Sequence, residues 1–338
     1  MKVIAVYEAL PSNNDNCFEM IEVEIPVALG HDILIKIAAI SINPVDSKER
    51  LGIKGRLKEA LVLGWDACGE VIAVGESVKK FKIGDIVMSA GDITRAGSYA
   101  QYQLLDERIT SLKPKKLSRQ EAATLPLTTL VAWESLFDRL EITKDTFEKP
   151  ALLIIGAAGG LGSMAIQFAR QLSTCTIIAT ASREESKEWC LALGAHYVID
   201  HSKDLEEQIK ALGFENIPYI LNCSNNIPYW EIMSRIVSPE GSICLVASTK
   251  AKLDLDLYME KSVRINYELM FTRSIFKTDK MAVQGEILSK VAKMIDEGSI
   301  RHIMTKSFGD MSTQSLSEAH AYIEKGHMLG KMSLSAIS

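Results

Sequence analysis

The stretch Ala151–Leu172, ALLIIGAAGGLGSMAIQFARQL, decides the fold. Its first five residues, Ala151 to Ile155, are uninterruptedly apolar, as a strand covered on both faces of a parallel sheet requires. Glycines follow at 156, 159, 160 and 162. Beyond them Leu161, Met164, Ala165, Phe168, Ala169 and Leu172 recur at helical spacing, so a helix packs back on the strand. Strand, glycine turn and helix together point backbone N–H groups at a pyrophosphate, with the positive end of the helix dipole behind them. A Cβ would block either the turn or the phosphate. The reading is a dinucleotide-binding unit, with a tight structural turn as the plain alternative.

Outward from this stretch, 338 residues suggest two domains, each with ample core. Hydrophobic content of 47% and charged content of 24% are ordinary for a globular protein. A net charge of −5 argues against nucleic acid or an anionic membrane as partner. No apolar run reaches the length of a membrane span, and MKVIAVYEAL begins like a strand and not like a signal peptide. The six cysteines, at 17, 68, 175, 190, 223 and 244, form no Cys-x-x-Cys pair, and this fits a reducing cytoplasm with no disulfide framework.

The first third is rich in strand signals: KVIAVYEA, FEMIEVEI, DILIKIAAISI, GEVIAVG, DIVMSA and SYAQYQLL. Short strands at close spacing suggest a small barrel-like β unit. From about Thr124 the pattern changes. LPLTTLVAWESLFDRL reads as a helix with Leu130, Trp133, Leu136 and Phe137 on one stripe. After the glycine turn come TIIATA, EESKEWCLALG, HYVID, LEEQIKAL, YILNC, YWEIMSRIV and GSICLVAS, strand and helix by turns, with INYELMFT as a sixth strand. That alternation means a doubly wound parallel sheet. The remaining segment has no glycine fingerprint and is assigned to the first domain. The expected division is 126–272 for the dinucleotide domain, with 1–125 and 273–338 forming a discontinuous β-rich domain.

Several of these segments resemble the medium-chain dehydrogenase/reductase superfamily: LGWDACGEVIAVGESVKKFKIGDIV, AGDITRAGSYAQYQLLDERI, LPLTTLVAWESLFDRL, GAAGGLGSMAIQFA and LGAHYVID. They occur in the family's order and cover nearly the whole chain. The nearest branch is the quinone oxidoreductase-like group, often labelled zinc-binding alcohol dehydrogenases although it lacks the ligands. The resemblance implies an α/β fold made of a GroES-like catalytic domain and a Rossmann domain, with the active site in the cleft between them and a homodimer as the assembly.

Zinc-dependent relatives carry Cys-x-x-Asp, Gly-His-Glu and a third Cys or Asp. The corresponding segments here are Asn43-Pro44-Val45-Asp46, Gly64-Trp65-Asp66 and the region of Leu127. A catalytic zinc needs about three N, S or carboxylate ligands, and only Asp66 qualifies. No Cys lies between Cys68 and Cys175, so the structural zinc lobe is missing too. The expectation is a metal-free site.

The turn residues Gly156, Ala158, Gly159, Gly160, Leu161 and Gly162 are expected to contact the cofactor. At the end of the second Rossmann strand, where NAD-specific folds place a carboxylate, the chain has Ser182 and Arg183. A hydroxyl and a guanidinium suit a 2′-phosphate, so NADPH is expected; a solvated turn is the alternative. By resemblance, His201 matches a Tyr near the adenosine phosphate, and Lys331 matches the family's terminal Gly-Lys near the cofactor. Asn222, Cys223, Ala247, Ser248, Phe271 and Thr272 fall at carboxyl ends of expected strands, where ligands bind in such sheets. Relatives carry Thr where this chain has Val131, so Thr128 or Thr129 is expected to supply the missing hydroxyl.

Without a metal, a simple ketone would lack a Lewis acid for its developing alkoxide. Quinones and α,β-unsaturated carbonyls spread the charge, so a hydrogen-bond donor suffices. The expected activity is therefore NADPH-dependent reduction of quinones, enals or enones. Asn43 is the expected donor, with holding its local turn before Pro44 as the alternative; Trp65 is either an aromatic wall or a packed core residue; and Asp46 and Thr128 line the substrate side. An NADPH-binding sensor or structural protein with little turnover is the alternative from another class; a zinc alcohol dehydrogenase is a third reading, which the missing ligands disfavour.

Overall fold

The computed structural model describes residues 1–144 and 147–337. The chain divides into two units, Val131–Met270 and a discontinuous one made of Met1–Leu130 with Phe271–Ser338.

Val131–Met270 is a Rossmann unit. Its six-stranded sheet runs Tyr197–Ile199, Thr176–Thr180, Ala151–Ile155, Ile217–Asn222, Val237–Leu245, Arg264–Tyr267, parallel throughout. All five residues of Ala151–Ile155 are buried, as its unbroken apolar run requires. One core cluster joins Leu153, Ile178, Ile220, Ile243, Trp230 and Met233, each 5% exposed or less. Burying an aliphatic side chain of this size contributes about 1.5–3 kcal/mol, so this layer dominates the unit's stability. Register pairs Ile155 with Asn222 and Asn222 with Leu245, which brings the carboxyl ends of the central strands level with the glycine turn.

Two expected elements differ. The helix read over LPLTTLVAWESLFDRL is α-helical only for Pro126–Trp133 and continues as a π-helix over Glu134–Arg139. Its i→i+5 bonds end with Leu140 N donating to Ser135 O at 2.9 Å, and Trp133 packs on Phe137 and Phe168. INYELMFT is a strand only to Tyr267. Its one neighbour, Val237–Leu245, ends at Leu245 opposite Tyr267, and Glu268 N donating to Leu245 O at 2.9 Å is the last bond between them. Phe271 instead precedes a short helix, Thr272–Ile275, and both Phe271 and Thr272 belong to the other unit.

That unit is the GroES-like one. Its main sheet orders Met304–Met311, Lys331–Ile337, Asp32–Ser41, Asp66–Val74, Ile86–Ser89 and Thr110–Leu112, with Tyr102–Asp106 also on Asp32–Ser41. Ile33, Ile35 and Ile37 are all buried, as are Leu34, Ala39 and Ile40, and Lys36 is the one exposed residue of Asp32–Ser41, so this central strand is covered over most of both faces. The strand Lys331–Ile337 is antiparallel to Asp32–Ser41, pairing Ser333 with Ser41, and Ser41 pairs on its other side with Asp66. Ser41 Oγ locks the register by donating to Met332 O at 2.6 Å. Lys331, Asp66 and the residues after Ser41 therefore converge at one end of three adjacent strands.

Candidate functional site

In the Rossmann unit the glycine turn has the geometry its sequence implies. Gly156 sits at φ +75°, a backbone that side chains disfavour. Its N–H donates to Thr180 Oγ at 3.1 Å, and Cys223 N donates to Ile155 O at 3.0 Å, so the turn hangs between neighbouring strand ends. Gly159 caps the helix Gly160–Leu172, and the first helical bond runs from Ser163 N to Gly159 O at 2.9 Å. The N–H groups of Gly160, Leu161 and Gly162 thus have no partner within the helix, and no acidic side chain stands in its first turn. A Cβ on Gly162 would stand 2.4 Å from Ala157 O, so only glycine lets the helix close on the turn. Trp189 Nε1 holds the same helix by donating to Ser163 Oγ at 2.8 Å. Turn, glycine cradle and helix N-terminus fit a dinucleotide pyrophosphate.

Ser182 and Arg183 are exposed just past the strand Thr176–Thr180, with Arg183 capping the helix Glu184–Ala192. His201 is half-buried, and its Nδ1 has no hydrogen-bond partner among the described residues. Ser248 is exposed and Ala247 half-buried. Asn222 is fully buried and engaged locally: its Nδ2 donates to Asn226 Oδ1 at 3.0 Å and its Oδ1 accepts from Ser224 N at 3.0 Å. Asn226 Nδ2 in turn donates to Ala247 O at 2.6 Å. Asn226 and Thr180 were not singled out from sequence. The clustered asparagines at 222–226 carried a turn signal, whereas Thr180 had none.

In the GroES-like unit the convergence of strands builds a buried polar network. Lys331 is 1% exposed, and its Nζ donates to Ile42 O at 2.9 Å, Asn43 Oδ1 at 2.6 Å and Asp66 Oδ2 at 3.2 Å. Asn43 Nδ2 donates to the same Asp66 oxygen at 2.8 Å, and Leu127 N to Asp66 Oδ1 at 2.8 Å. Burial pushes Asp66 up and Lys331 down, but each attracts the other's charge. Three donors on the carboxylate and three oxygens around the ammonium favour the charged forms, so the two make an ion pair.

These contacts correct two expectations and narrow a third. Lys331 has all three N–H groups occupied and none left for a cofactor. Asp46 does not line a substrate surface: it is fully buried and accepts from Asn43 N at 2.7 Å, closing the first turn of the helix Pro44–Gly52. Asn43 is 1% exposed, with its carbonyl on Lys331 and one amide hydrogen on Asp66; the second hydrogen alone is open to other use. Burial raises Asp46 to about 7, against the pull of the Asn43 N–H and Lys331. Beyond it, Tyr99 OH lies 2.9 Å from His320 Nε2, and His320 Nδ1 3.0 Å from Ser47 Oγ. Burial, then Arg50, lowers His320 to about 3, so its ring is neutral.

Thr128 is also corrected: its hydroxyl turns back to Leu125 O, just before its own helix, at 3.2 Å. Thr129 is fully buried with its Oγ lacking a partner among the described residues, which makes it the better hydroxyl candidate. Phe271 and Thr272 do not end a Rossmann strand. Phe271 is buried against Trp65, ring centroids 5.9 Å apart and edge-on.

Among the described residues no group of three or more His, Cys, Asp or Glu is placed to hold a metal ion. Asn43, Trp65 and Leu127 stand at the positions that correspond to zinc ligands in zinc-dependent relatives, and Asp66 is fully engaged by N–H donors. The donor set does not fit a catalytic zinc. Among the described residues, too, no helix is long and apolar enough to cross a membrane.

A GroES-like unit and a Rossmann unit with a phosphate-binding turn define a two-domain dehydrogenase/reductase. Residues 29–115 match the alcohol dehydrogenase GroES-like domain and residues 160–283 the zinc-binding dehydrogenase family. A zinc-type alcohol dehydrogenase-like protein of Staphylococcus epidermidis is 36% identical over 98% of both chains. A solved structure from Rhizobium etli, bearing the name of a zinc-dependent alcohol dehydrogenase, is 40% identical, with TM-score 0.96 over 100% of this chain and 98% of that one. More distant are the 2-methylene-furan-3-one reductase of Solanum lycopersicum, 29% identical over 92% of this chain and 73% of its own, and the quinone oxidoreductase of Coxiella burnetii, 26% identical with TM-score 0.81 over 99% and 98%. The chain belongs to the medium-chain dehydrogenase/reductase superfamily and is an oxidoreductase.

Proposed function

We propose that this chain is a metal-free, NADPH-dependent reductase of quinones or of C=C bonds conjugated to a carbonyl. The observation that carries the reading is the Lys331–Asp66–Asn43 network. It commits to an internal ammonium the one carboxylate that a zinc would need. The names of the nearer relatives include zinc; those of the more distant ones refer to a quinone and to a methylene furanone, both conjugated acceptors.

When bound, the nicotinamide supplies a hydride. The glycine turn and the helix Gly160–Leu172 bind its pyrophosphate, and Ser182 and Arg183 grip a 2′-phosphate through charge-assisted bonds. The second amide hydrogen of Asn43 donates to the acceptor oxygen. Lys331 and Asp66 hold that amide in one orientation, because reversing it would set N–H against ammonium and oxygen against carboxylate. A conjugated acceptor needs no more, since its charge is dispersed as it forms. The reading includes small-molecule substrates, a cytoplasmic setting and a homodimer.

The test is NADPH consumption by purified protein against 1,4-benzoquinone, cinnamaldehyde, methyl vinyl ketone and a simple ketone such as cyclohexanone. Turnover with the conjugated acceptors and none with cyclohexanone is expected. Binding of NADPH without consumption in any reaction would instead support the sensor reading.

A further inference from the structure

The indole N–H groups of this chain are not used alike. Trp189 Nε1 donates to Ser163 Oγ at 2.8 Å and Trp230 Nε1 to Asp254 O at 2.9 Å. Trp65 is 2% exposed, yet its Nε1 has no acceptor among the described residues. Buried indoles ordinarily find a partner, and a donor left without one is a standing cost to the fold. Such a group calls for an explanation, and a ligand that completes it is one.

The surroundings of Trp65 are polar on one side and aromatic on the other. Gly91, at φ +61°, brings the two side chains together: a Cβ there would stand 3.3 Å from Gln103 Nε2, 3.3 Å from Trp65 O and 3.6 Å from Trp65 Cδ1, so the three are closely packed. Gln103 is 3% exposed, and its Oε1 also lacks a partner among the described residues. An orphaned donor and an orphaned acceptor therefore belong to two side chains bordering the same glycine. Phe271 meets the indole edge-on from its own side. Next along the chain, Asp66 takes the amide of Asn43, so Trp65 flanks the residue that anchors the proposed donor.

We propose that the Trp65 indole N–H is a second hydrogen-bond donor to the substrate's acceptor oxygen, acting beside the Asn43 amide. This rests on the reductase reading above. The two N–H groups would form a neutral oxyanion site, whose bonds strengthen as hydride arrives and charge builds on that oxygen. A neutral donor pair suits a quinone or enone carbonyl, which begins uncharged and ends as an enolate or phenolate awaiting a proton. An indole donor also gives the site a flat apolar face, favouring extended planar conjugated acceptors over puckered aliphatic ketones.

The experiment compares wild type with Trp65→Phe, which keeps an aromatic ring and removes the N–H. With 1,4-benzoquinone, kcat/KM is expected to fall about tenfold, while NADPH affinity and melting temperature stay near wild type. Unchanged kcat/KM would mean that solvent completes the indole, and would overturn the inference. A loss confined to NADPH affinity would overturn it too, by assigning the N–H to the cofactor. Wild type that turns over no conjugated acceptor would bring down the reductase reading and this inference together; wild-type turnover with an unaffected variant sinks the inference alone. Should Trp65→Phe fail to fold, indole ¹⁵N-labelled wild type decides. With NADP⁺ and p-nitrophenolate as the oxyanion probe, the Trp65 resonance, assigned by exclusion from Trp133→Phe, Trp189→Phe and Trp230→Phe, is expected to move downfield. A bound probe that leaves that resonance in place would refute the contact.

Discussion

Lys331 Nζ and Asp66 Oδ2 stand 3.2 Å apart across 265 positions of sequence, both within 1% of complete burial. An ion pair so placed is costly to break from one side, because the surviving charge stays buried.

Lys331→Met is therefore expected to destabilise the protein by about 3–5 kcal/mol. Adding Asp66→Asn should recover part of that loss, since the two effects are coupled. Urea denaturation of the two singles and the double measures it. A single-variant cost under about 1 kcal/mol would mean that water reaches the pair.

The raised pKa of Asp46, about 7 against an ordinary 3.8, has a definite sign. Folded protein holds this proton where the unfolded chain has released it, so the group's contribution to stability falls as pH rises between about 4 and 7. Asp46→Asn keeps an acceptor for Asn43 N and removes the titration. Relative to wild type, the variant should gain about 1.4 kcal/mol per pH unit across that window. His320, lowered to about 3, has the opposite slope, with stability lost as pH falls below 6.5. Stability curves at several pH values, taken as variant minus wild type, isolate Asp46. A flat difference would show that its carboxyl is ionised throughout.

Arg183→Ala should weaken NADPH about 10- to 100-fold and leave NADH nearly unchanged, the loss of one charge-assisted contact of about 1.5–3 kcal/mol. Titration with both cofactors checks it. Equal losses would assign Arg183 to its helix cap instead of the phosphate.

Purified protein is expected to carry no stoichiometric zinc, and treatment with a chelator should leave turnover unaltered. Metal analysis finding about one zinc per chain, removed together with activity, would show that the Lys331 network rearranges around a metal.

Gly162→Ala places a Cβ 2.4 Å from Ala157 O and 2.5 Å from its Cα. Neither backbone atom yields readily, so a loss of about 1–3 kcal/mol is expected, with weaker binding of either cofactor. Melting temperature and NADPH affinity should fall together.

The Rossmann half was legible because its signals are local. An apolar run, spaced glycines and a helical stripe all lie within Ala151–Leu172, and each constrains the backbone directly. The site in the other half was legible only in part. Asn43, Trp65 and Leu127 stood out as departures from a ligand pattern, but their partners did not. Lys331 was read toward the cofactor because nothing near it in sequence shows that the strand Lys331–Ile337 pairs with Asp32–Ser41. Asp46 looked available because its helix-closing bond to Asn43 N depends on the first turn actually forming. Phe271 and Thr272 were read as strand because apolar composition does not reveal where a neighbouring strand stops.

The strand that delivers Lys331 also sets an order of manufacture. A ribosome releases Asn43, Asp66 and Leu127 before any of the Rossmann unit that intervenes, and Lys331 only after all of it. Until then the Asp66 carboxylate has its amide and backbone donors but no counter-charge. No chain shorter than 331 residues can close the ring. The buried ammonium thus doubles as a completion seal: a molecule in which the Asn43 carbonyl and the Asp66 carboxylate share one cation is one whose synthesis has passed that lysine.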